Sequence, residues 1–303
     1  MLTPSIDAYL AMRRAAGFQL RVVEALLRNY ACFAGERGEA HVRAQTALQW
    51  AALAPSPCQR GRRLETVTIF ARHVHVEDNR HEIPPSGVFS SQRPPYRPFI
   101  YTADQIRQLL EKAVRLPPTG SLRPRTYFTL LALLAVTGLR ISEALSLRLE
   151  DVTPDGLVIN ETKFHKSRIV PLHASAQEGL ESYIERRKRV GGGDDHVFIS
   201  MRGRALRYPT VVATFLALVR EMGIHEGPGK RGPRLHDLRH TWAVRALEAC
   251  PPAYDFVSQH LLSVSTYLGH AKLASTFVYL HTTPQLLSAI ADRCELLRQG
   301  GTS

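Results

Sequence analysis

The 303-residue chain has little cysteine, only two tryptophans and a shortage of acidic side chains. Its four cysteines, Cys32, Cys58, Cys250 and Cys294, are scattered, with no Cys-x-x-Cys pair and no zinc-ligand spacing. That pattern argues against a disulfide-stapled scaffold or a cysteine-based metal finger, and it predicts a reducing, cytoplasmic setting. No apolar run approaches the roughly 20 residues that span a bilayer. The longest, Tyr127 to Val136, predicts a buried core helix. Residues 1–7 lack a basic stretch followed by an apolar one, so no signal peptide is expected. Internal repeats and low-complexity tails are also missing.

Asp and Glu number 27 against 39 Lys and Arg, a formal net charge of +12. Such an excess favours a polyanionic partner, because cations that neutralise phosphates release condensed counterions. Anionic lipid would satisfy the same charge, so particular side chains must decide. The hydrophobic fraction of 44% is enough for a core, and the length suggests about two domains.

Three regions follow from the pattern. Residues 1–83 read as a helical domain, with Ile6, Leu10 and Met12, then Val22, Val23, Leu26, Leu27, Tyr30 and Phe33, at helical spacing. Further helices are predicted over Thr46–Leu53 and Leu64–Val74. Arg13, Arg14, Arg21, Arg60, Arg62 and Arg63 give this region either a solvated basic face or a grip on a phosphate backbone. Residues 84–100 form a linker, since Pro84, Pro85, Pro94, Pro95 and Pro98 remove backbone donors and disfavour helix before them.

Residues 101–303 form the third region. Thr102 is placed to cap a helix over Ala103–Val114, and Gly138 to end the apolar helix of Tyr127–Val136. A short helix over Ser142–Leu147 precedes two short strands, Leu157–Glu161 and Arg168–Leu172. Helical periods return over Ala174–Arg189, Pro209–Met222, His236–Glu248, Asp255–Leu268 and Pro284–Leu297. The fold class is therefore mainly α with a small β-sheet.

Three local patterns stand out. In Thr137-Gly138-Leu139-Arg140-Ile141-Ser142-Glu143, a glycine turn projects an arginine beside the start of a helix. A guanidinium there presents a rigid fork that matches paired phosphate oxygens. In His236-Asp237-Leu238-Arg239, residues three apart share one helix face and can address one ligand. In Leu268-Gly269-His270, a turn is followed nine residues later by Tyr279. Taken singly, each has a bland explanation: a surface arginine, an amphipathic helix, and a core tyrosine with a satisfied hydroxyl.

The three patterns occur together and in this order, and jointly they resemble the tyrosine recombinase, or phage integrase, family. The resemblance covers residues 101–290, and the domain order extends it over the chain. It implies a helical core-binding domain followed by a catalytic domain, closing as a clamp on duplex DNA, with four protomers on two recombination sites. It makes Arg140, Lys163, His236, Arg239, His270 and Tyr279 the catalytic set, with Glu143 as a supporting acid. Tyr279 would be the nucleophile, Arg140 and Arg239 would hold the non-bridging oxygens, and Lys163 would protonate the leaving 5′ oxygen. His236 would accept a proton or orient the phosphate, and His270 would bond a non-bridging oxygen. The product implied is a 3′-phosphotyrosyl bond, made with no metal and no ATP. Because a phosphodiester is already anionic, the arginines take over electrostatic work that a metal would otherwise do.

Some features depart from the pattern. Lys166 rivals Lys163 as general acid in the segment Thr162-Lys163-Phe164-His165-Lys166. The stretch between Arg239 and His270 is longer than in Xer-like members, near Cys250–Tyr254, which points toward integrases of transposons and other mobile elements. Tyr254 and Tyr267 are rival tyrosines. His73, His75 and Glu77 could be taken for metal ligands, although two histidines two apart suit a strand better than the helix predicted there. The apolar stripe of Leu286, Leu287, Ile290 and Leu297 suits docking on a neighbouring protomer or on its own domain. Two other classes stay open: a DNA-binding regulator or accessory recombinase without catalysis, and a type IB topoisomerase, which shares the chemistry.

Overall fold

A computed structural model of the chain describes residues 2–89, 98–162, 166–190, 194–224, 232–249, 254–269, 276 and 279. Lys163, His270 and the Pro284–Leu297 segment lie outside these residues. The chain divides into two compact units, Met1–Tyr96 and Arg97–Ser303.

The first unit holds α1 (Thr3–Ala15), α2 (Arg21–Gly35), α3 (Ala44–Ala52) and α4 (Pro57–Glu77). Their core contains Leu10, Leu27, Tyr30, Trp50, Val67 and Phe70. Burying each such side chain contributes roughly 1.5–3 kcal/mol. Helix α4 begins at Pro57 rather than at Leu64, because the Ser56 side chain accepts the Gln59 N–H and Pro57 suits the first turn. Met12 was expected in the apolar stripe but is 48% exposed. It lies two residues after Leu10, which on a helix turns it to the opposite side. Several arginines here are structural. Arg60 donates from Nε to the Ala54 carbonyl at 2.8 Å. Arg63 donates to the Trp50 carbonyl at 3.2 Å and lies over the Trp50 ring, and Arg14 pairs with Glu24.

In the second unit, α5 (Ala103–Val114) starts in a reciprocal capping box, Thr102 accepting from the Gln105 backbone and Gln105 from the Thr102 backbone. Helix α6 (Leu122–Thr137) starts earlier than its apolar run, where Ser121 caps it. It packs against α5, α8 (Ala174–Val190) and α10 (Asp237–Glu248), which is why its apolar residues are not confined to one stripe. Helix α7 (Ile141–Ser146) follows at once. The sheet has three antiparallel strands in the order β1-β2-β3: β1 (Val152–Thr153), β2 (Gly156–Thr162) and β3 (Lys166–Val170). Sequence spacing had missed β1, which is too short to show a period, and had started β3 two residues late. A short 3-10 turn, Leu149–Asp151, leads into β1, and α9 (Tyr208–Glu221) and α11 (Tyr254–Leu268) are the remaining helices of the element order. The Tyr101 N–H donates to Thr241 Oγ1 at 2.9 Å, and Arg245 donates to the Tyr101 carbonyl at 2.9 Å, pinning the entry of the unit to α10. No helix among the described residues is long and apolar enough to cross a membrane.

Candidate active site

The site is assembled where the ends of α6, α10 and α11 meet. Gly138 ends α6 with φ +61°, a conformation that frees the chain to turn. A Cβ there would come within 2.9 Å of the Trp242 ring, so the turn also needs glycine for space. Two residues later, Arg140 caps α7. Its backbone N–H and its Nη1 both donate to Glu143, at 2.9 and 2.7 Å, and its Nη2 donates to the Gly269 carbonyl at 3.2 Å. The Arg140 side chain stays one-third exposed, whereas Glu143 is nearly covered. Burial works against ionisation of Glu143, but hydrogen bonds from Arg168 and from the Arg140 backbone outweigh it and hold the carboxyl below its usual range.

Arg239 lies at the centre and is 2% exposed. One arm of its guanidinium donates to the Gly138 carbonyl at 2.8 Å, and the other donates to the Leu268 carbonyl at 2.7 Å. A single side chain of the His-x-x-Arg pattern therefore ties the glycine–arginine turn to the Leu-Gly-His turn. The Tyr279 hydroxyl is also hydrogen-bonded to it. Burial, and then the nearby charge of Arg140, lower the Arg239 pKa to about 10, with Tyr279 and Glu143 opposing the shift.

His236 sits at the N-cap of α10. Although the residue has an exposed face, desolvation of its ring comes first, and the charges of Arg239, Arg234 and Arg140 add to it, lowering its pKa to about 4. It is therefore neutral near pH 7. Its ring meets His240 edge to face at 4.8 Å, and His240 meets Tyr279 at 5.2 Å. Tyr279 is 3% exposed and packs among Ala243, Val244, Leu247, Val264 and Leu268. It thus sits in a core, as an ordinary tyrosine would, with its hydroxyl on the buried arginine.

Of the residues singled out from sequence, Arg140, Glu143, His236, Arg239 and Tyr279 converge here. Lys166 opens β3, while Lys163 and His270 fall outside the described residues. Of the two rival tyrosines, Tyr254 opens α11. Tyr267 stacks on Trp242 at 4.6 Å, and burial pushes its phenol up to about 12 against the opposing charge of Arg168. Two further participants were missed. His240 stands four residues after His236, a spacing that puts both on one helix face and would have revealed it. Arg168 bonds Glu143, but nothing local in its strand announces that contact.

A cleft of about 720 Å³ opens beside Arg140 and Glu143 and is lined further on by Arg148, Asn160 and His196. The candidate metal ligands of the first unit lie on α4, where His73 packs on Tyr9 at 5.1 Å and His75 Nδ1 lies 2.5 Å from the His81 carbonyl. A tighter group there is His41, Asp78 and His81. Asp78 is already held by Arg80, and His81 Nδ1 accepts the Val42 N–H, which leaves the ring proton on Nε2. The Asp78 N–H donates to the Val74 carbonyl at the end of α4, and its carboxylate lies 3.3 Å from His41.

The profile of the phage integrase family matches residues 100–285. A Sinorhizobium fredii protein named as an integrase/recombinase, y4rB, is 37% identical over 302 residues, covering 96% of each chain. The tyrosine recombinase XerC of Pseudomonas aeruginosa is 33% identical over 216 residues, 71% of this chain and 65% of that one. Among solved structures, the Tn1549 transposon integrase in complex with transposon right end DNA superposes with a TM-score of 0.65 at 16% identity, over 97% of this chain and 98% of that one. A lambda integrase tetramer bound to a Holliday junction gives 0.59 at 18% identity, over 89% and 77%. At these identities the structural likeness establishes the fold.

Proposed function

Because the chain belongs to the phage integrase family of tyrosine site-specific recombinases, we propose that its own site cleaves and rejoins DNA with Tyr279 as nucleophile. The observation that carries this reading is the placement of Arg239, bonded to both motif turns and to the Tyr279 hydroxyl. A duplex phosphate entering beside Arg140 meets two guanidinium groups that stabilise the extra charge of a pentacoordinate phosphorus. The Tyr279 oxygen attacks phosphorus and loses its proton to His236, directly or through a water; the ring is neutral in the free protein, and phosphate charge beside it offsets the arginines that weaken it as a base. The phosphorus–5′-oxygen bond breaks, and the leaving oxygen takes a proton from Lys163, with Lys166 the rival donor. His270 bonds a non-bridging oxygen, and Glu143 braces Arg140. The 3′-phosphotyrosyl bond conserves the energy of the phosphodiester, so a 5′-hydroxyl of another strand reverses the step.

Residues 1–83 serve as the core-binding domain, the 84–100 segment as the linker and 101–303 as the catalytic domain. The partner is duplex DNA, gripped by four protomers, a reading supported by the net charge of +12 and by the assembly of the lambda enzyme on its junction. The transposon integrase likeness and the y4rB relative favour service to a mobile element in the cytoplasm. The test is covalent trapping on a nicked suicide duplex built from a site that the full chain selects out of random-sequence DNA. The expected result is a 3′-linked adduct, formed in chelator and lost in Tyr279→Phe. An adduct that survives that substitution refutes the assignment.

A further inference from the structure

Arg168 belongs to none of the motifs used above, yet it reaches two of them. From β3 its Nη1 and Nη2 donate to both carboxylate oxygens of Glu143, at 3.2 and 2.9 Å, and its Nε donates to the Tyr267 carbonyl at 2.8 Å. The side chain is only 13% exposed. It also lies against Gly269, where an added Cβ would come within 2.7 Å of Nη1. Glu143 shares Oε1 with Arg140, so one carboxylate stands between two guanidinium groups. Among the described residues, Arg168 supplies two of the four hydrogen bonds that fix this carboxylate; the other two come from Arg140 itself. Without Arg168, the carboxylate keeps only the Arg140 backbone N–H and the side chain that it has to brace. The fork geometry is what resists that rotation, because two parallel bonds fix the plane of the carboxylate.

We propose that Arg168 is a positioning residue for strand cleavage: it locks Glu143, and through it the direction of Arg140, against the turn that leads into His270. The inference deepens the recombinase reading and rests on Arg140 binding the reacting phosphate. A misdirected phosphate ligand is costly, since a displacement of about 1 Å in a reacting geometry lowers rates about 10²-fold.

The experiment measures single-turnover adduct formation and DNA affinity for the full-length chain on the nicked duplex described above. Arg168→Gln is expected to slow adduct formation about 10²-fold while affinity stays within about 3-fold, because most affinity comes from distant phosphates. Arg168→Lys, which restores charge without the fork and is the variant least prone to misfold, should recover about tenfold of the loss. In an Arg140→Lys background, Arg168→Gln should cost less than about 3-fold more, because residues that act through one another are not additive. A merely structural role predicts additive losses in that cycle. Additivity, or wild-type cleavage by Arg168→Gln, overturns the proposal. Absence of any adduct from the wild-type chain sinks the recombinase reading and this inference with it, whereas a wild-type adduct with an indifferent Arg168 sinks this inference alone.

Discussion

Arg239→Lys isolates what the guanidinium fork contributes. The substitution keeps a positive charge but replaces two separated arms with one nitrogen. One arm reaches the Gly138 carbonyl at 2.8 Å and the other the Leu268 carbonyl at 2.7 Å, and the side chain is buried. An ammonium can satisfy one of these carbonyls and leaves the other buried and unbonded. A lost charged hydrogen bond and an orphaned acceptor together cost about 2–4 kcal/mol. For a unit of this size that lowers Tm by roughly 2–4 °C per kcal/mol. In the reaction itself, the loss of a preorganised donor to the developing charge should slow cleavage about 10²–10³-fold. Calorimetry on the full chain reads the first effect, and single-turnover trapping on the nicked duplex reads the second. A melting transition shifted by less than about 2 °C would show that the fork does not join the two turns. Cleavage within about 3-fold of wild type would show that Arg239 does not hold the phosphate.

Gly138→Ala should destabilise the second unit by about 2–4 kcal/mol, since alanine at φ +61° is strained and its methyl meets a Trp242 ring pinned by Tyr267 and the Val136 carbonyl. Denaturant midpoints unchanged from wild type would refute this. His236 should stay neutral down to about pH 4 in the free protein. Its pKa should rise when duplex binds, because phosphate charge offsets the neighbouring arginines. Binding then takes up a proton as pH falls between the bound and free values, so affinity strengthens toward acid in that window. Imidazole NMR signals titrating near the ordinary 6.5 without DNA would contradict the arrangement. Tyr267→Phe should retain adduct formation within about 3-fold, because its buried phenol ionises with difficulty. Loss of the adduct in that variant, with correct folding, would move the nucleophile away from Tyr279.

Much of the architecture was legible because local chemistry and periodicity agreed. Thr102 and Gln105 announce the start of α5, and Gly138 announces the end of α6. The start of α6 escaped because Arg123, Pro124 and Arg125 hide the helical period behind polar and proline positions. The convergence of Arg140, Glu143, His236, Arg239 and Tyr279 followed from motif order. The contacts that organise it did not. Arg168 reaches partners 25 and 99 positions away in sequence, a separation that no window along the chain can see. His240 is legible from helix geometry, since its four-residue spacing from His236 places both rings on one face. Tyr279 shows why single residues mislead: by burial alone it is a core aromatic, and only its hydroxyl partner sets it apart.

Arg239 also sets a stoichiometric limit on the site. A guanidinium carries five N–H groups, and two of them are committed to the Gly138 and Leu268 carbonyls as part of the fold. Three remain, and the Tyr279 hydroxyl already draws on them. On the proposed mechanism, an incoming phosphate binds the same cation as the hydroxyl that attacks it. That mechanism therefore makes Arg239 both the resting partner of the reactive hydroxyl and a ligand of its target.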